Sequence, residues 1–112
     1  MDERRSEPRF MCSDLVKVRI QDAAGTREVT ANLEDISPSG ACVQLEDAAL
    51  AGADIEVICD KCRLKGKVSY CRFAALGYDV GIAFHKQSSW NRRRFAPKHL
   101  LEIPVNRHDG AA

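Results

Sequence analysis

The sequence predicts an all-β domain, a small six-stranded antiparallel β-barrel with a flexible N-terminal arm and a short C-terminal helix. Two observations support this prediction. Apolar and polar residues alternate along the middle of the chain, which is the period of a half-buried strand, and turn residues recur there at short intervals. No helical stretch separates the strands, and closure into a barrel removes the exposed edges of such a sheet. The predicted strands are 14–21, 28–36, 41–46, 54–59, 64–73 and 78–84.

Each strand is predicted from its own apolar positions. In the first, Val16, Val18 and Ile20 alternate with charged residues, whereas strand 64–73 is long and only partly β-branched. The turn signals between the strands are 22–25, 37–40, 50–52, 59–62 and 74–77. The alternating apolar residues of the other strands are Val29, Ala31 and Leu33, then Ala41, Val43 and Leu45, then Ile55, Val57 and Cys59, and last Val80, Ile82 and Phe84.

The two ends of the chain differ from this middle region. Residues 1–13 are mostly charged and are predicted to form an arm, and residues 14–103 are predicted to form the barrel with a C-terminal helical segment. Within 87–103 the sequence favours one or two short helices, broken near Pro97, with Trp90 packing on the barrel. Residues 104–112 are predicted to be a disordered tail.

Composition narrows the class of protein. A chain of 112 residues, 45% hydrophobic and 29% charged, has the composition of one globular domain. No apolar stretch is long enough to cross a bilayer, so we expect no membrane insertion. The first residues lack the apolar core of a signal peptide, so we expect a cytoplasmic protein whose five cysteines are free thiols.

The N-terminal arm contains two arginines, Arg5 and Arg9, at a spacing of four. Pro8 disfavours a helix there, because proline removes a backbone donor and restricts the residue before it. The arginine side chain is a planar fork of donors that suits phosphate oxygens and the O6/N7 edge of guanine. On this motif alone, a solvated charged surface is the better interpretation.

A second motif follows the predicted second strand. Asp35 and Ser37 are two residues apart at a strand end, so their side chains share one face, and residues 37–40 fit a type I turn. An ionised aspartate only accepts hydrogen bonds and can therefore bind the N–H edge of a guanine. Taken alone, this segment is better explained as a hairpin turn.

Together the two motifs resemble the PilZ domain family, which consists of small six-stranded barrels with a C-terminal helix. The arm has the RRxxxR form through Arg4, Arg5 and Arg9, and residues 35–40 have the form DxSxxG. Residues 81–84 match the GxxF pattern of the closing strands, so the resemblance covers roughly residues 4–86. Many PilZ domains bind the bacterial second messenger cyclic di-GMP, and the resemblance therefore implies that ligand.

The resemblance also implies roles for individual residues. The arginines of the arm would bind phosphates and guanines, Asp35 would accept from a guanine, and Ser37 would support the same edge or a phosphate. Gly40 would let the backbone approach the ligand, and Arg72 would lie against a base. Domains with the RRxxxR form often bind the ligand as an intercalated dimer, and residue 39 is Ser where many members have Gly. The implied ligand-binding residues are Arg4, Arg5, Arg9, Asp35, Ser37, Gly40 and Arg72.

The function implied is relay of the cyclic di-GMP signal to an effector protein, in control of motility, secretion or exopolysaccharide. An alternative is a PilZ-like protein-interaction module whose nucleotide site is weak or unused. A nucleic-acid-binding barrel is less favoured, because it would need a basic stripe with exposed aromatic residues. Residues 14–85 instead carry eight basic and eleven acidic groups, and no nucleic acid is expected as a partner.

Neither catalysis nor a metal is predicted. The histidines are not arranged with a serine or cysteine as in a known triad, and no glycine-rich phosphate loop precedes a helix. Cys59 and Cys62 could join Cys71 and His85 in a zinc site, but a single CxxC is a weak signal and ordinary thiols are favoured. The basic run 92–94 could contact a partner or ligand, although a solvated surface is the simpler interpretation.

Overall fold

Long strands with alternating burial make up most of the protein. A computed structural model describes residues 7–103, and all six predicted strands are present in it, joined by a short seventh strand near the end of the chain. Every strand pairing is antiparallel. The strands are β1 (Arg9–Asp22), β2 (Gly25–Ser37), β3 (Gly40–Leu45), β4 (Asp54–Cys59), β5 (Cys62–Ala74), β6 (Gly77–Phe84) and β7 (Leu101–Ile103).

The predicted barrel is confirmed, and its closure depends on the length of β1. The strand order is β2-β3-β6-β5-β4-β1-β7, and β1 also pairs with β2, which closes the six-stranded ring. One stretch of β1 pairs with both neighbours at once, since Val18 lies opposite Val29 of β2 and Val57 of β4. The first residues of β1 pair instead with β2 and with β7.

Residues facing the inside of the barrel form one apolar core. The alternation read from the sequence places them there, because successive side chains of a strand point to opposite faces. Seven strand residues, all of them valine, leucine or isoleucine, are completely buried: Val18, Leu33, Ile36, Val43, Val57, Leu64 and Val80. Trp90, from the segment after β6, is 2% exposed and belongs to the same cluster.

The predicted C-terminal helix is wrong. Among residues 7–103 the only helical element is a single 3-10 turn, Lys86–Ser88, and β7 occupies the end of the segment that we expected to be helical. The side chain of Asn91 accepts from the backbone N–H groups of Arg93 and Arg94, which is the bonding of a helix N-cap, but only one turn follows. Pro97 limits this turn, because the residue before a proline is biased away from the helical region. No helix in the described part of the chain is long and apolar enough to span a membrane.

The boundary between arm and barrel also differs from the prediction. β1 begins at Arg9, so residues 9–13, which we assigned to the arm, belong to the sheet. Phe10 is the physical reason: it is 6% exposed and packs edge-to-face against Trp90, with 5.4 Å between the ring centroids. The rest of the predicted arm up to residue 6, and the predicted tail 104–112, lie outside the described residues.

Candidate functional site

A cavity of about 650 Å³ opens to solvent where the start of β1, the β2–β3 hairpin and strands β5 and β6 meet. This volume lies within the range of small-molecule sites in proteins. Four of the residues predicted from the two motifs line the cavity together, namely Arg9, Asp35, Ser37 and Gly40. Residues that sequence reasoning had not assigned to the site also line it, among them Glu7, Ser39, Cys42, Tyr70 and Gly81.

Strand register brings the two motifs into contact. Met11 of β1 lies opposite Asp35 of β2, so the side chain of Arg9 reaches the carboxylate of Asp35. Their Nη2 and Oδ2 atoms are 2.9 Å apart, and the side chains are 36% and 18% exposed. A ligand that used either group would therefore have to share or replace this ion pair. Because the pair is partly solvated, its exchange costs little.

The hairpin between β2 and β3 is a tight turn over Pro38 and Ser39, with Ser37 paired to Gly40. Neither residue of the turn has a positive φ, which excludes the type II and primed turns and agrees with the predicted type I. The Ser37 hydroxyl donates to the carbonyl of Gly40 at 3.3 Å. Two further bonds hold the turn from outside, from the N–H of Phe84 and the N–H of Trp90 to its carbonyl oxygens.

Glu7 binds the same turn from the N-terminal side. Its Oε1 atom accepts a hydrogen bond from the backbone N–H of Ser39 at 3.1 Å and another from the Ser39 hydroxyl. The residue just ahead of β1 is thereby attached to the turn that carries the second motif. Nothing in the spacing of the sequence indicates this contact, because it joins residues 32 positions apart.

Tyr70 of β5 also forms part of the cavity wall. It is paired with Gly81 of β6, and a Cβ on Gly81 would lie 2.1 Å from the ring, so the glycine makes the room in which the ring lies. The guanidinium of Arg72 lies over the Tyr70 ring, 4.9 Å from its centroid. Arg72 itself does not line the cavity, although the Tyr70 ring on which it lies does.

A cluster of acidic and thiol groups lies beside this wall. The ligating atoms of Glu34, Cys42 and Asp79 are all within 4.8 Å of one another. Burial raises the pKa of Glu34, and the neighbouring carboxyl group of Asp79 raises it further. Oδ1 of Asp79 is buried and has no hydrogen-bond partner among the described residues. Burial also raises the pKa of the Cys42 thiol to about 12.

The residues of the zinc alternative do not come together. Within residues 7–103 the only group of three close metal-ligating side chains is Glu34, Cys42 and Asp79. Cys59 instead donates to the carbonyl of Cys62 across the β4–β5 hairpin. Burial raises the pKa of the Cys59 thiol to about 12.

Gly40, the glycine of the second motif, allows strands β3 and β6 to lie close together. A Cβ at Gly40 would lie 2.4 Å from the backbone oxygen of Ile82, so a larger residue at this position would collide with the backbone of strand β6.

We expect Gly40→Ala to lower the free energy of unfolding by about 1–3 kcal/mol, because the paired backbone of β6 cannot move aside. Gly81→Ala is the matched control and should cost less, since the Tyr70 ring can rotate away. Urea unfolding of both variants tests this, and equal midpoints would contradict it.

Comparison with known proteins gives a family for the chain. A search of curated proteins found no match. The family model described as the PilZ domain matches residues 3–96. Arg4 and Arg5 fall within the matched range but outside the described residues. Because the match spans most of the chain and includes every strand of the closed barrel, the chain belongs to the PilZ domain family.

Proposed function

We propose that this domain binds cyclic di-GMP in the cavity beside the β2–β3 hairpin and relays the signal to a partner protein. The observation that carries the proposal is the meeting of Arg9 and Asp35, one from each motif, at the wall of a single cavity. PilZ domains are a family of cyclic di-GMP-binding modules, and the match to that family supports the same ligand.

The cavity residues suit the chemistry of a cyclic dinucleotide. The ligand carries two phosphates and two guanines, and the arginine fork binds phosphate oxygens or the O6/N7 edge of guanine. The carboxylate of Asp35 accepts from the N–H groups on the other edge of a guanine. Arg4 and Arg5 supply further cationic groups for the phosphates. Arg72, lying on the Tyr70 ring, offers a flat surface against which a base can stack.

The relay would use contacts of the turn with the C-terminal segment. The backbone N–H of Trp90 donates to the carbonyl of Pro38 at 3.0 Å, and Trp90 packs on Phe10, the neighbour of Arg9. A ligand that moves Arg9 or the β2–β3 turn would therefore also move Trp90. Residues around this segment are the surface that an effector would read.

A second candidate is a protein-interaction module that makes little use of the nucleotide site. The Arg9–Asp35 ion pair favours it, because each group already satisfies the other in the free protein. Titration calorimetry with cyclic di-GMP, GTP and a short RNA separates the candidates. Micromolar or tighter binding of cyclic di-GMP alone supports the main proposal. Absence of heat with all three ligands favours the interaction module, and binding of RNA alone would point to a nucleic-acid-binding barrel.

Asp35→Asn provides a sharper test of the site. We expect the variant to fold and to bind cyclic di-GMP more weakly by about 1–3 kcal/mol, the value of one good base-edge pair. Asp54→Asn is the matched control, since Asp54 is an exposed carboxylate of β4 paired with Lys67 away from the cavity. Wild-type affinity for Asp35→Asn, with an unchanged melting transition, would mean that Asp35 only pairs with Arg9.

A further inference from the structure

Two hydrogen-bond donors of the β2–β3 turn converge on one point of the cavity wall. They are the backbone N–H and the hydroxyl of Ser39, and both donate to a single atom, Oε1 of Glu7. Glu7 and Ser39 both line the cavity together with Arg9. The two donors thus bind a carboxylate oxygen of Glu7 at the wall of the cavity that a ligand would enter.

Convergent backbone and hydroxyl donors are the means by which proteins hold phosphate oxygens. A carboxylate oxygen carries a similar charge and accepts the same bonds, so it can occupy a place suited to phosphate. The turn that carries these donors is also held in place before any ligand binds. Its carbonyl oxygens are held by the N–H groups of Phe84 and Trp90, which leaves the Ser39 N–H pointing to the cavity side.

We infer that Ser39 forms an anion subsite for a phosphate oxygen of the ligand, and that Glu7 occupies this subsite in the free protein as a competing anion of the same chain. The inference rests on the proposed function for the identity of the phosphate source. Glu7 is two residues from Arg9, where β1 begins, so its carboxylate is held near the turn at high effective concentration. A ligand must displace it.

The consequence is a weakened apparent affinity. When the binding-competent state is only partly populated, the apparent dissociation constant rises by the inverse of that fraction. Glu7 also repels a phosphate that enters beside Asp35, which is a second acidic group on the same wall. Loss of the Glu7 charge therefore strengthens binding, whereas loss of an acidic group that a ligand uses weakens it. Neutralising Glu7 and neutralising Asp35 should therefore change the affinity in opposite directions.

The test compares cyclic di-GMP affinity in four proteins by titration calorimetry. Glu7→Gln keeps the size of the side chain and removes its charge, and it should bind about tenfold more tightly than the wild type, as expected for a charge-assisted hydrogen bond. Adding Ser39→Ala to Glu7→Gln should remove most of the gain. Asp47→Asn removes the same charge from an exposed residue that does not line this cavity, and it should bind as the wild type does.

A second measurement follows the Ser39 amide by NMR while inorganic phosphate is added to the wild type and to Glu7→Gln. The amide signal should move with phosphate in the variant and much less in the wild type. That result supports the subsite even if no protein binds cyclic di-GMP, in which case only the proposed function fails. The inference is overturned if the Ser39 amide is unmoved in Glu7→Gln, or if Asp47→Asn strengthens binding as much as Glu7→Gln does.

Discussion

Replacing Trp90 with alanine is expected to lower the free energy of unfolding by about 3–5 kcal/mol, the cost of truncating a fully buried aromatic side chain. Trp90 is 2% exposed, and its indole N–H donates to the carbonyl of Phe95 at 2.8 Å. It packs edge-to-face on Phe10, the second residue of β1. The variant therefore loses apolar contacts and also leaves a cavity between the barrel and the C-terminal segment.

Urea denaturation followed by circular dichroism measures this change. Phe73→Ala is the matched control, because Phe73 is an aromatic residue that is 75% exposed, and its truncation should change stability by no more than about 0.5 kcal/mol. If Trp90→Ala were as mild as the control, the C-terminal segment would be an accessory to the barrel. The proposed relay from the turn to Trp90 would then lose its structural basis.

Replacing Arg4 and Arg5 together with alanine is expected to weaken cyclic di-GMP binding by about 3 kcal/mol or more, roughly a hundredfold. Each arginine is proposed to make at least one hydrogen bond to a charged phosphate, worth about 1.5–3 kcal/mol. The melting temperature should stay the same, because both residues precede β1, which begins at Arg9. Calorimetry and a thermal melt on the same samples provide the two measurements.

The control for this double variant is Arg93→Ala combined with Lys98→Ala. It removes the same amount of charge from exposed residues that do not line the cavity. NMR order parameters add an independent observation, since we expect Arg4 and Arg5 to become more ordered when cyclic di-GMP saturates the site. Equal order with and without ligand, or equal loss of affinity in both double variants, would contradict a specific role for the arm.

Some site residues could be predicted from the sequence because a short motif carries them. Asp35, Ser37 and Gly40 lie within one turn, and local chain geometry alone places them near each other. Their proximity to Arg9 follows from the pairing of β1 with β2, which the alternating pattern predicts as strands without stating their register. The resemblance to a family supplied the link between the two motifs.

Other site residues could not be predicted. Tyr70 has the pattern of an ordinary strand residue, and only its pairing with Gly81 makes it a cavity wall. Glu7 is one of several charges in a polar segment, and its role depends on a contact with a turn 32 residues away. The wrong prediction of a C-terminal helix also arose from tertiary contacts. The apolar residues of that segment pack individually on the barrel and not as one face of a helix.

The sequence by itself determined the strands, the turns between them and the two short motifs, since period-two alternation and turn chemistry are local properties of the chain. Tertiary structure alone decided the start of β1 at Arg9, the short turns and irregular chain after β6, and the meeting of Glu7, Tyr70 and Asp35 around one cavity. Burial of Phe10 against Trp90 and the closing pairing of β1 with β2 are long-range contacts. These contacts stabilise the fold more than the local conformational preferences of the segments do. Local sequence patterns do not show them, because each contact joins residues far apart in the chain.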